Sequence, residues 1–436
     1  MIPSPLQKPD VTLSLTLSPS SVSGPASTAR ETPEGRGIRL IELLLKCANH
    51  ASTPGANDLD RADACLSQIS ALASVSGDSM QRLAAHFASA LATRLLIRRW
   101  PGIYRAVNHT RRCRFPVVDD IDSAARALFS QAFPYLSFAY AIIARTLLQV
   151  MTHERVVHLV DLGSGDPKLW VPLLRSFARL SNGPPHLKVT CVSSNRTVLE
   201  KLGHRLVKEA EVLDLPFQFI PLNVAVQDLT PGLLKIRTGE ALAFISILNL
   251  HTFLADDDDD HHRFNASYDN DNEIRNGKRL STFLLMIRSM SPKALFVVEQ
   301  EADHNSIRLV DRFVDGLHYY SAVFDSIDAT FGSTGSTNEQ VEGRIMVEEM
   351  FGREIENMVA YEGLDRVERH ERFSRWALRM TRVGFRPVRM WYNSDEDAKQ
   401  MVGAFGKEGY KIVSDRTSMM ICWHDRPLYA VTTWTS

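Results

Sequence analysis

An alternation of short apolar runs with helical patterns, beginning at residue 156, limits the possible folds more than any other feature of the sequence. Runs rich in β-branched residues are typical of strands buried in a parallel sheet, and here they cover residues 156–162, 187–193, 217–222, 241–248 and 293–300. Helical patterns separate these runs, so we expect βαβ units with right-handed crossovers. The sequence therefore predicts an α/β, doubly wound sheet of the Rossmann type, closed by an antiparallel pair at 418–423 and 428–434.

The part of the chain before this alternation has a helical period. Apolar residues recur at spacings of three and four from Ile38 to about Arg99, and again over residues 123–151. We predict a mainly helical cap over residues 38–151 and an α/β core over residues 152–436.

Charge, cysteine content and hydropathy exclude several classes of protein. Lys and Arg number 50 against 51 Asp and Glu, so no overall field draws the chain to nucleic acid or to an anionic membrane. The five cysteines are scattered and form no C-x-x-C pair, which indicates free thiols in a reducing compartment. No apolar stretch reaches the ~20 residues that span a bilayer. We expect a soluble intracellular protein.

Residues 1–33 are predicted to be a disordered tail, because Pro, Ser and Thr outnumber large apolar residues there. One apolar island contains Leu13, Leu15 and Leu17, which would share one face of an extended peptide. This island resembles the L-x-L-x-L repression motif of plant transcriptional regulators, which recruits Topless-type co-repressors. A chance cluster of leucines in a Ser-rich tail is the alternative interpretation.

A second unusual segment is acidic and spans about residues 255–280. It contains five consecutive aspartates, Asp256 to Asp260, followed by His261-His262. Adjacent like charges repel, and no spacing fixes a coordination geometry, so the segment is interpreted as a solvated loop. No metal site is predicted.

The segment Asp161-Leu162-Gly163-Ser164-Gly165-Asp166-Pro167 is the strongest candidate for a ligand site. It joins a predicted strand to a predicted helix, where glycines let the backbone approach a nucleotide. It resembles the first motif of S-adenosylmethionine-dependent methyltransferases. Two departures are Pro167 in place of a third glycine and Ser193-Ser194 in place of an acid after the second strand. A turn retained for packing is therefore favoured over a cofactor site at Asp161, Gly163 and Gly165, and no cofactor is predicted.

Basic residues cluster without an intervening acid in one stretch that also contains Trp100, Tyr104 and Phe115. The members are Arg94, Arg98, Arg99, Arg105, Arg111, Arg112 and Arg114. This composition is typical of a nucleic-acid surface and equally of a protein interface. The neutral net charge favours a partner surface or a nuclear-import signal. The histidines beside apolar strands, His158 and His251, are interpreted as hydrogen-bonded core residues, and spacing alone identifies no catalytic residue.

From residue 37 to residue 434 an ordered series of motifs resembles the GRAS family of plant transcriptional regulators, with most similarity to its scarecrow-like protein 3 branch. The VHIID motif of that family corresponds to Val157-His158-Leu159-Val160-Asp161. The other matching segments are residues 41–48 and 77–84, Ser291-Pro292-Lys293, 297–301, His304-Asn305, 351–355, Glu368-Arg369-His370-Glu371, and a closing segment with Trp423, Arg426-Pro427-Leu428 and Trp434.

The resemblance implies a methyltransferase-like core with a helical cap, in a nuclear protein that is not an enzyme. It further implies partners: zinc-finger transcription factors of the indeterminate-domain type and other GRAS proteins, including DELLA proteins, with DNA contacted mainly through them. A homodimer or heterodimer and a role in gibberellin response or root development are also implied. The alternative is a methyltransferase or a small-ligand-binding protein that uses Gly163 and Gly165.

Overall fold

A computed structural model describes residues 32–53, 55–114, 118–163, 165–255, 277–332, 337–390, 403, 408–415 and 417–436. For residues 108–114 and 118–123 it describes the backbone alone. The predicted tail with Leu13, Leu15 and Leu17, and the acidic residues 256–276, lie outside the described residues. All of the strands predicted from the sequence lie within the residues that the structure describes.

One mixed sheet forms the centre of the molecule. Its strands are β1 Val156–Asp161, β2 His186–Val192, β3 Phe217–Leu222, β4 Ala241–Ile247, β5 Ala294–Gln300, β6 Arg386–Pro387, β7 Tyr410–Asp415, β8 Ser418–Trp423 and β9 Arg426–Thr435. In the described residues the strand order is β3-β2-β1-β4-β5-β9-β8-β7, and β6 pairs with β9. Strands β1 to β5 are parallel, whereas β9 is antiparallel to β5 and β8 is antiparallel to β9. The predicted doubly wound sheet and its closing antiparallel pair are confirmed.

Helices cover both faces of this sheet. They are α1 Pro33–Ser52, α2 Ala56–Leu72, α3 Ser79–Arg99, α4 Pro101–Arg114, α5 Val118–Ala132, α6 Pro134–Val150, α7 Pro167–Ala178, α8 Arg196–Val212, α9 Pro231–Leu234, α10 Lys278–Ser289, α11 Leu309–Phe331, α12 Asn338–Ala360 and α13 Phe373–Arg382. Alternate residues of each strand point to opposite faces. Val157 and Leu159 of β1 therefore pack in one apolar core with α1 to α3, α11 and α12, while Val160 packs in a second core with α10 and α13.

Capping signals in the sequence explain where two long helices begin. Asp78 accepts a hydrogen bond from the Gln81 backbone at 2.9 Å and donates its own backbone N–H to the Gln81 side chain, which starts α3. Thr337 and Gln340 form the same reciprocal box at the start of α12. Each box satisfies N–H groups that have no partner within the helix.

The helical layer combines segments from both sides of residue 152. Helix α3 packs along α12, and α1 packs on α11. At their junction the buried Arg82 donates to Glu348 of α12 at 2.8 Å and pairs with Asp328 of α11. The layer therefore contains α11 and α12, which follow β5 in the sequence and lie outside the predicted cap over 38–151.

Among the described residues, no single helix is long and apolar enough to cross a membrane. The stretches Ala124–Ala132 and Pro134–Val150 meet the criterion only as a pair bent by 78°.

Candidate functional site

The candidate ligand turn lies at the carboxyl end of β1, between β1 and β4. At this point the strand order reverses direction, and open α/β sheets bind their ligands in the crevice formed there. Asp161 is the last residue of β1, and the turn leads into α7. The structure thus brings Asp161, Gly163 and Gly165 to the position where a nucleotide cradle is expected.

The carboxylate of Asp161 is engaged by the protein itself. Its side chain is fully buried, and Oδ2 accepts hydrogen bonds from the Gly165 backbone at 3.1 Å and from the Trp170 indole at 2.8 Å. Burial and this neighbouring carboxylate raise the pKa of the Cys191 thiol well above its ordinary value. The acid therefore ties the turn to α7.

A side chain of the protein packs closely against each of the two glycines. Gly163 has φ of +104°, and a Cβ added there would lie 2.5 Å from the Asn249 amide nitrogen. That amide donates to the Leu162 carbonyl at 2.8 Å. Gly165 has φ of +55°, and a Cβ there would meet Val198 at 3.0 Å. Glycine is required at these positions by backbone conformation and close packing, with no ligand needed to explain it.

The serines that replace a sugar-binding acid after β2 have a structural use as well. Ser193 accepts a hydrogen bond from the Asn195 backbone at 3.1 Å, and Asn195 in turn caps α8 by accepting from Val198 N at 3.2 Å. The polar groups of the loop after β2, where a methyltransferase would bind a ribose, thus stabilise the start of α8.

Asp166, which sequence patterns place in the candidate turn without a role of its own, connects the turn to the helical layer. Its Oδ1 caps α7 by accepting from Lys168 N at 2.8 Å, and its Oδ2 accepts from the Tyr140 hydroxyl at 2.7 Å and from Ser130 at 3.1 Å. Burial and the adjacent Asp166 raise the pKa of Tyr140. An acid directly before a proline is a helix-start signal that could have identified this residue.

His158 on β1 is a hydrogen-bonded core residue, as predicted. Its Nδ1 lies 2.9 Å from Glu240 and its Nε2 lies 2.8 Å from Thr190, and the side chain is fully buried. Because a carboxylate accepts only, Nδ1 carries the proton and Nε2 accepts from the Thr190 hydroxyl. Burial and the nearby Lys188 ammonium lower the pKa of His158 to about 4.

A second polar group at the same edge of the sheet is the histidine–glutamate cluster of His251, Glu299, Glu368 and His370. His251 follows β4 and Glu299 is in β5, whereas Glu368 and His370 precede α13. His251 Nδ1 lies 2.8 Å from Glu299, and Glu368 Oε2 lies 3.2 Å from His251 Nε2 and 3.0 Å from His370 Nε2. Burial acts to lower the pKa of His251, yet the Glu299 and Glu368 carboxylates raise it to about 10.

Sequence patterns do not reveal this cluster, because its residues come from three distant segments. They indicate His251 only as a core residue and Glu368-Arg369-His370-Glu371 only as a family motif.

The structure describes the side chains of four of the seven arginines in the basic stretch. Three of them, with two tyrosines, line a groove of about 470 Å³ between α3, α4 and the end of α12: Arg94, Arg98, Arg105, Tyr104 and Tyr361. Arg94 forms an ion pair with Glu362 at 2.8 Å, and Arg99 pairs with Asp60 of α2. The side chains of Arg111, Arg112 and Arg114 lie outside the described residues. Part of the stretch is thus already used in contacts within the protein.

The four cysteines that the structure describes, Cys47, Cys65, Cys191 and Cys422, are buried free thiols, as predicted.

Fold and site together define a methyltransferase-like Rossmann protein with a helical layer. Its candidate ligand turn is hydrogen-bonded to, and packed against, side chains of the same chain. Residues 40–435 match the GRAS domain family, and the chain belongs to this family. Scarecrow-like protein 3 of Arabidopsis thaliana is 38% identical, over 92% of this chain and 90% of that protein. DELLA protein RGL1 of the same plant is 32% identical, over 95% of this chain and 73% of that protein.

A solved structure agrees with the fold. The crystal structure of SCL7 in Oryza sativa superimposes with a TM-score of 0.71 at 26% identity, and the match covers 91% of this chain and 99% of that one. GRAS proteins, with their scarecrow-like and DELLA members, are plant transcriptional regulators.

Proposed function

We propose that this chain is a nuclear transcriptional regulator that acts by binding other proteins and catalyses no reaction at the turn of Asp161, Gly163 and Gly165. The observation that carries the proposal is the internal use of this turn. The carboxylate is hydrogen-bonded to Gly165 and Trp170, and the Asn249 amide packs against Gly163 and donates to the Leu162 carbonyl. A methyl donor that replaced these hydrogen bonds would have to break bonds between buried or half-buried groups.

Calorimetry with S-adenosylmethionine tests the absence of a cofactor. We expect no detectable heat from the wild type or from Gly165→Arg, which would block the turn. Tight binding to the wild type that is abolished by Gly165→Arg would instead favour the methyltransferase.

The partners in this proposal are zinc-finger factors of the indeterminate-domain type and other GRAS proteins, including DELLA proteins, in gibberellin response or root development. The 32% identity to a DELLA protein supports contacts within the family, as a homodimer or a heterodimer. Contact with DNA is then mainly indirect, in keeping with a net charge of -1. In gel-shift assays we expect the chain alone to bind DNA weakly, and tight binding that is lost on replacing the arginines would contradict this.

We place the partner surface at α4 and the groove beside it. Trp100, Ile103 and Val107 occupy one face of this part of the chain, with 50%, 56% and 56% of each residue exposed. Large apolar residues beside Arg98 and Arg105 are the usual anchors of a protein interface.

Isothermal titration with a zinc-finger partner tests this surface. Ile103→Asp is expected to weaken binding at least tenfold, because it places a charge within the apolar face. Val212→Asp is the matched control, since Val212 is 77% exposed on the separate helix α8. Equal affinities for these two variants would rule the surface out.

The tail is proposed to recruit a Topless-type co-repressor through Leu13, Leu15 and Leu17. A DNA-tethered fusion is expected to repress a reporter, and replacing the three leucines by alanine is expected to abolish the repression. Unchanged repression would show that the leucines are a chance cluster.

A further inference from the structure

The histidine–glutamate cluster has the composition of a transition-metal site. Two imidazoles and one carboxylate, from His251, Glu368 and His370, offer ligand atoms that all lie within 4.8 Å of one another. The two imidazole rings are 4.0 Å apart between centroids. We propose that His251, Glu368 and His370 bind one divalent transition-metal ion, with Zn²⁺ the preferred ion.

The distances fit the size of such a site. Zn–N and Zn–O bonds of ~2.1 Å in a tetrahedron place neighbouring ligand atoms roughly 3.4 Å apart. Glu368 Oε2 is 3.2 Å from His251 Nε2 and 3.0 Å from His370 Nε2. Two of the three separations between ligand atoms are therefore close to those of a metal site, and the third is at most 4.8 Å.

Glu299 holds His251 in the orientation that a metal ligand needs. Its Oε1 accepts from the backbone N–H groups of Leu250 at 2.9 Å and His251 at 3.3 Å, which fixes the carboxylate. Its Oε2 lies 2.8 Å from His251 Nδ1, so Nε2 points toward Glu368, and a bound ion replaces the Nε2 proton that this carboxylate accepts. A carboxylate behind the imidazole is the usual arrangement at histidine-ligated metals, because it sets the tautomer and increases the basicity of the ligand.

The buried and incompletely hydrogen-bonded side chain of His370 is a second, independent observation in favour of a metal site. This side chain is 1% exposed, and its Nδ1 lies 3.8 Å from Glu299, which is beyond hydrogen-bond distance. This atom has no hydrogen-bond partner among the described residues. The imidazole is therefore held by one hydrogen bond, through Nε2, and it can tilt toward an ion beside Glu368 without losing a hydrogen bond at Nδ1.

The cluster is open on one side. The Glu368 side chain is 21% exposed, whereas those of His251 and His370 are 5% and 1% exposed. An ion can enter past the carboxylate, and water can complete the coordination there. Two histidines and one carboxylate with an open position suit Zn²⁺ or another first-row ion better than Mg²⁺ or Ca²⁺, which prefer oxygen ligands alone.

Metal analysis of the full-length protein tests the proposal. After dialysis against Zn²⁺ and removal of the excess, we expect one equivalent in the wild type and at least tenfold weaker Zn²⁺ binding in Glu368→Gln and His370→Gln. His204→Gln replaces an exposed histidine of α8 and is the control for histidine content. A variant with His261→Gln and His262→Gln controls for metal held by the acidic segment.

Cobalt spectroscopy keeps the test decisive if a variant does not fold. Co²⁺ added to the wild type is expected to give visible d–d bands of a tetrahedral nitrogen and oxygen site, which Zn²⁺ then displaces. Absence of these bands in the wild type, or loss of the metal only when His261 and His262 are replaced, would overturn the proposal. In that case the cluster is a hydrogen-bonded group of buried charges and nothing more.

Discussion

Replacing Asp161 by alanine separates the structural interpretation of the turn from the ligand-binding one. In the structure a single carboxylate oxygen serves two N–H donors, the Gly165 backbone at 3.1 Å and the Trp170 indole at 2.8 Å, and lies 3.9 Å from the Cys191 thiol. Both Asp161 and Trp170 are fully buried, so neither lost partner is replaced by bulk water. If the acid is structural, Asp161→Ala lowers the free energy of unfolding, and no ligand is involved.

The size of the effect follows from these contacts. A hydrogen bond to a charged group contributes ~1.5–3 kcal/mol, and a buried donor left without a partner costs about 1–3 kcal/mol. Asp161→Ala is therefore expected to cost roughly 3–5 kcal/mol, because two donors lose their acceptor. Trp170→Phe removes one donor and leaves the bond to Gly165 intact, so its loss of hydrogen bonding is about 1–3 kcal/mol.

Urea unfolding followed by circular dichroism measures both changes. The double variant of Asp161→Ala and Trp170→Phe should be less destabilised than the sum of the single variants, by ~1.5–3 kcal/mol of coupling. Asp228→Ala is the control, because Asp228 is exposed. A cost below ~1 kcal/mol for Asp161→Ala, or additive single effects, would refute the structural role.

Three further predictions concern stability. The folded-state pKa of His158 is about 4, below its ordinary 6.5, so the unfolded chain binds the proton more tightly. The free energy of unfolding should therefore fall by up to ~3 kcal/mol as pH drops from about 6.5 to about 4, and urea titrations of His158→Gln should show a smaller fall. Arg82→Met should lower the free energy of unfolding, measured with urea, by about 3–5 kcal/mol, because it leaves the buried Glu348 without its 2.8 Å partner. A loss no larger than that caused by replacing an exposed arginine would disprove this. Gly163→Ala should lower the free energy of unfolding by roughly 1–3 kcal/mol, because alanine is strained at φ of +104° and collides with Asn249. In a thermal-shift assay, Gly163→Ala made in an Asn249→Ala background should cost only the part due to backbone strain, and no cost in that background would mean that the backbone is unstrained.

The sheet could be predicted well from the sequence, because the composition of each strand by itself indicates that the strand is buried. Each of β1, β2, β4 and β5 is rich in apolar residues and buried along nearly its whole length, as expected for a parallel strand that is covered on both faces. The turn at Gly163 and Gly165 was equally readable, since glycine marks a positive φ. The helical layer was harder to predict: α11 and α12 join α1 and α3 across a long stretch of sequence, and no local period indicates which helix packs on which.

The sequence by itself determined the class of fold, the family and the position of the turn, because these depend on periodicity, glycine placement and ordered motifs along one chain. Only the tertiary structure decided how polar groups are paired. It bound the Asp161 carboxylate to Trp170 and brought His251, Glu368 and His370 together from distant segments. The physical reason is that burial makes every polar atom require a partner, and the identity of that partner depends on contacts between residues far apart in sequence.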